Sequence, residues 1–255
     1  MNKPLILVTN DDGIDAPGIR ILIEVMNELG EVYVVAPNSA QSGMGHAVTI
    51  NSTLTLDKVK LNDGPQKEWS CSGTPADCVK IAKQQILPRF PDLCVSGINH
   101  GANSGINVIY SGTMSAAIEA GIENIPAIGF SLRDFSYEAD FSASKFYVKK
   151  IAQKVLENKL PQNVVLNVNI PNGSLDEIKG IKICRQAKSV WVEEFDKRMD
   201  PRGKYYYWLT GYLKNIDEND DTDEHMLNQN YVSIVPVKAD LTNYESLNSI
   251  KNWFD

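Results

Sequence analysis

The stretch Leu5-Ile6-Leu7-Val8-Thr9-Asn10-Asp11-Asp12-Gly13 decides the fold. Its short apolar run ends in polar residues and a glycine, which predicts a buried strand followed by a turn. Apolar residues then recur at helical spacing over Gly18–Leu29, and Val32–Ala36 is a second apolar run. Together these segments predict a βαβ unit. Because both strands are apolar along their whole length, they indicate a parallel sheet covered by helices on both faces.

The same alternation continues along the chain. Thr74 and Pro75 are typical of a helix start, and this helix is predicted to run to about Ile86. Further elements are predicted in the order strand, helix, strand, helix, strand at Leu93–Ser96, Thr113–Ala120, Ala127–Ser131, Phe141–Leu156 and Val164–Asn169. The sequence therefore predicts an α/β fold with a doubly wound, mostly parallel sheet, which we place in residues 1–175.

After Pro171 the character of the sequence changes. Short strands without a helix between them suggest hairpins that project from the core, at Ile181–Ile183, Lys204–Leu209 and Tyr231–Val235. The acidic run at 217–224 is predicted to be a solvated turn, and Asn243–Phe254 a closing helix. We expect one domain over residues 1–255, in which residues 176–255 form a hairpin extension and a C-terminal helix.

Composition narrows the class of protein. The 255 residues include 25 Lys plus Arg and 32 Asp plus Glu, so the net charge is −7, which argues against binding of a nucleic-acid polymer. No apolar run approaches the roughly 20 residues that span a bilayer, and the N-terminus does not resemble a signal peptide. The 4 cysteines show no CxxC spacing. We expect a soluble, cytoplasmic protein with reduced thiols.

Polar residues follow the predicted strands, and ligands bind at the carboxyl ends of strands in an open parallel sheet. Asn10, Asp11 and Asp12 follow the first strand. Two adjacent carboxylates repel each other, and a bound cation is one way to relieve that repulsion. The alternative is a turn that caps the next helix, which would need only one aspartate.

The next two strand-end loops are rich in small residues and amides. One holds Ser42, Gly43 and His46, and its small residues allow the backbone to approach a ligand closely. The other holds Asn99 and Asn103 just past a buried strand. A plain connection would not need so many amides and glycines, so both loops are candidate ligand-binding segments.

Ser111, Gly112 and Thr113 open a predicted helix. Backbone N–H groups at a helix start, together with two hydroxyls, make an anion site. The alternative for Ser111 and Thr113 is simple N-capping, which is compatible with that role.

Oxygen ligands without clustered Cys or His select a hard cation such as Mg²⁺ or Mn²⁺. Beside an anion-binding helix end, such a cation suits phosphate chemistry, in which it polarises a phosphoryl oxygen and activates a water. A dinucleotide site would need G-x-G-x-x-G where Asp11 and Asp12 stand. An aspartyl-phosphate phosphatase would carry two aspartates two residues apart, but Gly13 and Ile14 occupy the partner positions.

At this point the motifs resemble those of the survival protein E (SurE) nucleotidases. The resemblance covers nearly the whole chain and is carried by Leu7–Gly13, Val35–Pro37, Gln41–Gly43, Gly45–His46, Ser72–Val79, Ser96–Asn103, Tyr110–Thr113 and Tyr206–Trp208. It implies an enzyme, a metal-dependent phosphatase that acts on nucleoside 5′- and 3′-monophosphates, with some activity on short polyphosphate. It also implies a Rossmann-like core.

The resemblance further implies roles for individual residues. One divalent cation per subunit would be held by Asp11, Asp12, Ser42 and Asn99. The substrate and its phosphate would be bound by Asn10, Gly43, Asn99, Asn103, Ser111, Gly112 and Thr113. A C-terminal β-hairpin would be exchanged between the subunits of a homodimer, or within a homotetramer. The chain departs from the family at Asn107, where an acidic residue is frequent, and at Tyr244, where some members carry a histidine.

His46 joins Asp11 and Asp12 as a candidate catalytic residue, because it lies in a strand-end loop and in a family motif. It could orient or protonate a leaving oxygen. The alternative is a hydrogen-bonded structural histidine. A second class of function also stays open, a nucleotide-binding regulator that keeps the fold and the metal without turnover. The intact set of Asp11, Asp12, Ser42 and Asn99 favours the enzyme.

Overall fold

The computed structural model describes residues 3–136 and 138–254, so the first two residues, on which the expectation of no signal peptide partly rests, lie outside it. The strands are β1 (Leu5–Thr9), β2 (Glu31–Pro37), β3 (Leu56–Val59), β4 (Lys67–Cys71), β5 (Leu93–His100), β6 (Ala127–Leu132), β7 (Val165–Ile170), β8 (Ile181–Ile183), β9 (Ser189–Met199), β10 (Tyr205–Asn215) and β11 (Val232–Val237). The helices are α1 (Pro17–Asn27), α2 (Pro75–Ile81), α3 (Asn107–Tyr110), α4 (Gly112–Ile122), α5 (Ser142–Asn158), α6 (Asp223–Asn228) and α7 (Leu247–Lys251).

Within the described residues, nine strands form one sheet in the order β3-β4-β2-β1-β5-β6-β7-β11-β8. The strands from β4 to β7 in that order run parallel. The strand β3 pairs antiparallel with β4, and β11 pairs antiparallel with β7. The predicted α/β fold with a mostly parallel sheet is confirmed. Because β8 and β11 follow residue 175, the sheet extends past the boundary that we expected for the core.

Helices cover both faces of the sheet, as the apolar strands require. On one face α1 packs over β1 and β5 and α5 packs beside it over β6, and Ile19 and Leu22 of α1 are fully buried there. On the other face α2 and α4 bury Val79 and Met114. Burial of one such side chain contributes roughly 1.5–3 kcal/mol relative to exposure.

The order of the strands reverses between β1 and β5, which places a crevice at their carboxyl ends. Thr9 at the end of β1 pairs with Ser96 of β5. The helix α1 begins very close to β5, because a Cβ atom at Gly18 would lie 1.9 Å from the Ile98 carbonyl oxygen. Only glycine permits this approach, which holds the start of α1 beside the crevice.

The hairpin of β9 and β10 projects from the sheet as an antiparallel pair of its own. Its register runs from Ser189 opposite Asn215 to Met199 opposite Tyr205. The sequence predicted the second strand of this hairpin, although it proves longer, and missed the first. The projecting hairpin itself is confirmed.

Two predictions for the C-terminal part need correction. The acidic run is a solvated turn only over residues 218–221, which are exposed. Asp217, Asp223 and Glu224 are at most 8% exposed, and α6 begins at Asp223. Arg185 bonds Asp217, backbone N–H groups bond Asp223 and the Ser104 hydroxyl bonds Glu224, which makes their burial possible. The closing helix is also shorter than predicted, with only Leu247–Lys251 α-helical after one 3₁₀ turn.

No helix in the part of the chain that the structure describes has the length and apolar character needed to cross a membrane. Residence in the cytoplasm and the lack of affinity for nucleic-acid polymers stay predictions from composition.

Candidate active site at the carboxyl ends of the strands

Asp11 lies at the centre of the crevice and is only 4% exposed. Its carboxylate accepts a hydrogen bond from the Thr113 hydroxyl. Its backbone carbonyl accepts from the Gln41 N–H at 2.7 Å. One aspartate thus contacts both the segment that follows β2 and the start of α4. The sequence could place these segments at the same edge of the sheet, and the structure joins them through Asp11.

The two adjacent carboxylates share an environment that disfavours their charge. Burial raises the pKa of the Asp11 carboxyl to about 6. The charge of Asp12 also raises this pKa, whereas the hydrogen bond from Thr113 lowers it. Burial also raises the pKa of Asp12, although the His100 N–H donates to Asp12 Oδ2 at 3.3 Å. A positive charge placed between them would oppose both shifts.

The start of α4 lies directly against Asp11. A Cβ atom at Gly112 would be 2.6 Å from the Asp11 Cβ, so no larger residue fits there without a shift. The Ser111 hydroxyl accepts from the Met114 N–H at 3.0 Å and therefore caps the helix. The Thr113 hydroxyl is engaged by Asp11. The Thr113 backbone N–H also bonds the Asp11 carboxylate, so this helix start already meets one negative charge within the chain.

The loop after β2 carries Ser42 and Gly43, both exposed, at the edge of the crevice. Gly43 has φ +72°, a conformation that glycine adopts without strain. The Gly45 N–H donates to the Tyr110 carbonyl at 3.1 Å, which ties this loop to the segment before α4. The loop is thus bonded on both sides of Ser42, to Asp11 through Gln41 and to Tyr110 through Gly45.

His46 has its Nε2 atom 2.8 Å from Glu119 Oε2, and Glu119 is buried and also accepts from Lys80 at 2.5 Å. Glu119 stands seven residues after Gly112 in α4, which is about 10 Å along the helix axis. This contact gives Nε2 a structural role. Donation of a proton by His46 stays a prediction.

The loop after β5 carries the two asparagines singled out in the sequence. The Asn99 amide nitrogen donates to the Gly101 carbonyl at 2.7 Å, which leaves its oxygen Oδ1 as the atom available to a cation. Asn103 is buried, and its side chain donates to the Ser131 hydroxyl at 2.9 Å. Its backbone N–H donates to Asn169 Oδ1 at 2.7 Å. Asn103 therefore fixes the loop to β6 and β7.

Asn10 has an unsatisfied hydrogen-bond acceptor in the crevice. Its Nδ2 donates to the Gly13 carbonyl at 2.8 Å, while its Oδ1 is buried without a hydrogen-bond partner among the described residues. An unsatisfied buried oxygen is costly, which is consistent with a donor or cation from a ligand at this position.

The donor set fits a hard cation. Among the described residues, no group of three or more His, Cys, Asp or Glu side chains is arranged to hold a metal ion. The candidate set instead combines two carboxylates with one hydroxyl and one amide oxygen, from Asp11, Asp12, Ser42 and Asn99. Oxygen donors of this kind suit Mg²⁺ or Mn²⁺, and a cation would favour the charged form of two carboxylates whose pKa values are raised by burial.

Sequence reasoning missed the carboxylates that hold the loop after β5. Asp223 Oδ2 accepts from the Gly105 N–H at 2.9 Å, and Glu224 accepts from the Ser104 hydroxyl. A signal was present, because Thr222 followed by Asp223 and Glu224 is typical of a helix N-terminus. In the structure Thr222 caps α6 by accepting from the His225 N–H.

Comparison with known proteins identifies the family of the chain. The sequence profile of the family described as Survival protein SurE matches residues 6–193. The chain belongs to the SurE family. A 5′-nucleotidase SurE of Christiangramia forsetii is 64% identical over 98% of this chain and 97% of its own length. One of Flavobacterium psychrophilum is 62% identical over 99% and 98%.

A solved SurE structure shares the fold. The crystal structure of the SurE protein from Aquifex aeolicus has a TM-score of 0.84 and 40% identity, and the match covers 99% of this chain and 100% of that one. The family match begins within β1 and ends within the first strand of the hairpin. It therefore contains the SurE segments that converge on the crevice, and both the expected family and the expected fold class are confirmed.

Proposed function

We propose that this chain is a metal-dependent phosphatase that hydrolyses nucleoside 5′- and 3′-monophosphates to nucleoside and phosphate, and that it also accepts short-chain polyphosphate. The observation that carries the proposal is the adjacent pair of buried Asp11 and half-buried Asp12, with Asp11 held against the start of α4. That the chain is a nucleotidase enzyme follows from relatives above 60% identity that are named 5′-nucleotidase. Metal dependence, 3′ activity and polyphosphate are parts of our proposal.

One divalent cation per subunit, Mg²⁺ or Mn²⁺, would be held by Asp11, Asp12, Ser42 and Asn99. When bound, it supplies Lewis-acid chemistry, which polarises a phosphoryl oxygen and lowers the pKa of a water that can attack phosphorus. Asp11 and Asp12 supply the negative charge of the site. The Thr113 hydroxyl orients Asp11, and the His100 N–H orients Asp12.

The phosphate would lie at the start of α4. The helix dipole favours an anion at this end, beside Gly112, and the Asp11 carboxylate there already accepts from the hydroxyl and the N–H of Thr113. Ser111 caps the helix. Gly43 and Asn10 would bring a backbone N–H and a side-chain oxygen to the substrate, while Asn103 fixes the facing loop.

His46 is the proposed group that orients or protonates the leaving oxygen. With Nε2 at Glu119, the ring presents Nδ1 as its remaining nitrogen. If His46 donates the proton, His46→Ala lowers kcat/KM and removes a limb of its pH profile. If His46 is structural instead, the profile keeps its shape and Glu119→Gln has the same effect as His46→Ala.

The protein is proposed to assemble as a homodimer, or as a homotetramer, through its hairpin. Tyr207, Trp208, Leu209 and Tyr212 of β10 are 56–65% exposed in the single chain. A two-stranded hairpin is marginal in water on its own, and contiguous exposed apolar surface marks a protein contact. Exchange of the hairpin between subunits would cover these side chains.

Phosphate release with nucleoside 5′- and 3′-monophosphates and with a short polyphosphate tests the function. We expect release with Mg²⁺ or Mn²⁺, its loss with EDTA, and recovery when the metal is restored. Full activity in a metal-free sample would contradict metal dependence. Nucleotide binding without steady-state release would instead identify the nucleotide-binding regulator.

A further inference from the structure

Four consecutive residues after Asn103 are each bonded to a distant part of the chain. Ser104 donates to Glu224, and the Gly105 N–H donates to Asp223 Oδ2 at 2.9 Å. The Ile106 N–H donates to the Ser189 hydroxyl at 2.8 Å, and Asn107 Oδ1 accepts from the Trp191 indole at 2.9 Å. We call residues 104–107 the clamped loop.

The partners of the clamped loop belong to two elements, the start of α6 and the first residues of β9. Asp223 joins these elements, because its second oxygen accepts from the Ala187 N–H at 2.9 Å just before β9. The same oxygen accepts from the Glu224 N–H at 2.8 Å. One fully buried carboxylate therefore holds the clamped loop, the root of the hairpin and α6 together.

The hairpin root also meets the backbone of the clamped loop directly. A Cβ atom at Gly105 would lie 2.3 Å from the Ser189 hydroxyl oxygen, and Gly105 has φ +55°. The two segments thus approach as closely as a glycine allows. A change in the hairpin root cannot occur here without a change in the clamped loop.

The position of the clamped loop relates it to the site. It connects Asn99 and Asn103 on one side with the start of α4 at Ser111 on the other. A displacement of this loop by even about 1 Å would move groups on both sides of a bound phosphate, and misplacement of that size is costly in catalysis.

We propose that Asp223 is a positioning residue of the phosphatase site. It holds the clamped loop against the hairpin root, so that the position of the hairpin fixes the position of the loop beside the site. Trp191 and Ser189 serve the same purpose from β9. This inference rests on the proposed function, because the clamped loop is taken to serve the nucleotide site. It makes the hairpin part of the catalytic scaffold as well as a proposed subunit contact.

Substitution of Asp223 in the full-length protein tests the inference. Asn at position 223 keeps the size of the side chain but sets an NH₂ group against one of the backbone N–H donors, so the clamped loop must shift. We expect Asp223→Asn to raise KM for a nucleoside monophosphate with Mn²⁺ by about tenfold. Mere destabilisation would lower the fraction of active enzyme, and hence apparent kcat, without a change in KM.

Glu68→Gln is the matched control. Glu68 is also a buried carboxylate, but its partners are Arg20 and Gln66, away from the clamped loop. We expect this variant to keep the wild-type KM even if its melting temperature falls. A KM for Asp223→Asn equal to that of Glu68→Gln and of wild type would overturn the inference while the proposed function stands. If the wild-type protein releases no phosphate, both the inference and the proposed function are wrong.

A second pair of variants decides the question if Asp223→Asn does not fold. Trp191→Phe keeps an aromatic ring, removes the indole N–H that bonds Asn107 and makes the ring smaller. Trp253→Phe makes the same change outside the hairpin, at a side chain that is 73% exposed. We expect a severalfold higher KM for Trp191→Phe alone. Equal KM values for the two variants would overturn the inference.

Discussion

The Cα of Gly112 faces Asp11 so closely that a Cβ atom there would stand 2.6 Å from the Asp11 Cβ and 2.9 Å from its Oδ2. The helix start that we propose to face the phosphate is thereby packed directly on a proposed metal ligand. Because Gly112 has no side chain, the start of α4 can lie this close to Asp11.

Gly112→Ala should therefore impair hydrolysis while the fold is kept. Alanine is the better helix former by about 1 kcal/mol, which offsets part of the cost of the contact. We expect kcat/KM to fall by more than about tenfold, because Asp11 or the helix start must move. Gly203→Ala, in the open hairpin turn, is the control for the glycine change. Wild-type kcat/KM in Gly112→Ala would show that this contact does not matter for the site.

Asp12→Asn should separate the site from the scaffold. Removal of one charge from the Asp11–Asp12 pair relieves repulsion, so the melting temperature without metal should stay equal or rise. Hydrolysis should fall by at least about a hundredfold, as loss of a preorganised electrostatic group does. Asp15→Asn, an exposed position three residues later, is the matched control. A near-normal kcat at saturating Mn²⁺ would mean that Asp12 caps a turn and holds no metal.

Glu119 predicts a pH dependence of stability. Burial raises the pKa of its carboxyl, but hydrogen bonds from His46 and Lys80 outweigh burial, and the pKa lies below its ordinary value. A carboxyl whose pKa is lower in the folded state contributes its full stabilisation at pH values above its unfolded-state pKa. This contribution is lost as the pH falls through the pKa of the folded state. Glu119→Gln should thus flatten the decline of melting temperature between about pH 5 and 3.

The control for this prediction lies one turn further along the same helix. Glu123 pairs with Lys83 at a more exposed position, and Glu123→Gln should keep the wild-type decline with pH. If the melting temperature of Glu119→Gln falls with pH as steeply as that of wild type, another titrating group causes the loss of stability in acid.

The sequence predicts those parts of the fold whose strands are apolar throughout, because periodicity and length identify them without knowledge of their partners. It fails for β4, where Lys67 and Glu68 interrupt the pattern. The structure supplies their partners from elsewhere in the chain: Lys67 donates to the Tyr33 hydroxyl at 2.6 Å, and Arg20 bonds Glu68. Such pairs depend on tertiary proximity, which one sequence does not show.

The same limit applies to the candidate site. Asp11 and Asp12 follow a recognisable strand, so their place at the sheet edge can be predicted. Asp223 lies more than a hundred positions from Gly105, and only the path of the chain brings the two together at 2.9 Å. An acidic run is usually solvated, and although Thr222 indicates a helix start, nothing local reveals the N–H donors of Gly105 and Ala187 that bond buried Asp223.

The assembly prediction is best tested by charge on the hairpin. Tyr207 is 58% exposed in the single chain, so Tyr207→Glu should leave the melting temperature of a monomer unchanged. In a hairpin-mediated homodimer the same change buries an unpaired carboxylate, which is strongly unfavourable. Light scattering at micromolar concentration should show a dimer or tetramer for wild type and a smaller species for Tyr207→Glu. Phe90→Glu, at a side chain of similar exposure outside the hairpin, should keep the wild-type mass. A wild-type monomer would refute exchange of the hairpin, and loss of assembly in both variants would place the contact elsewhere.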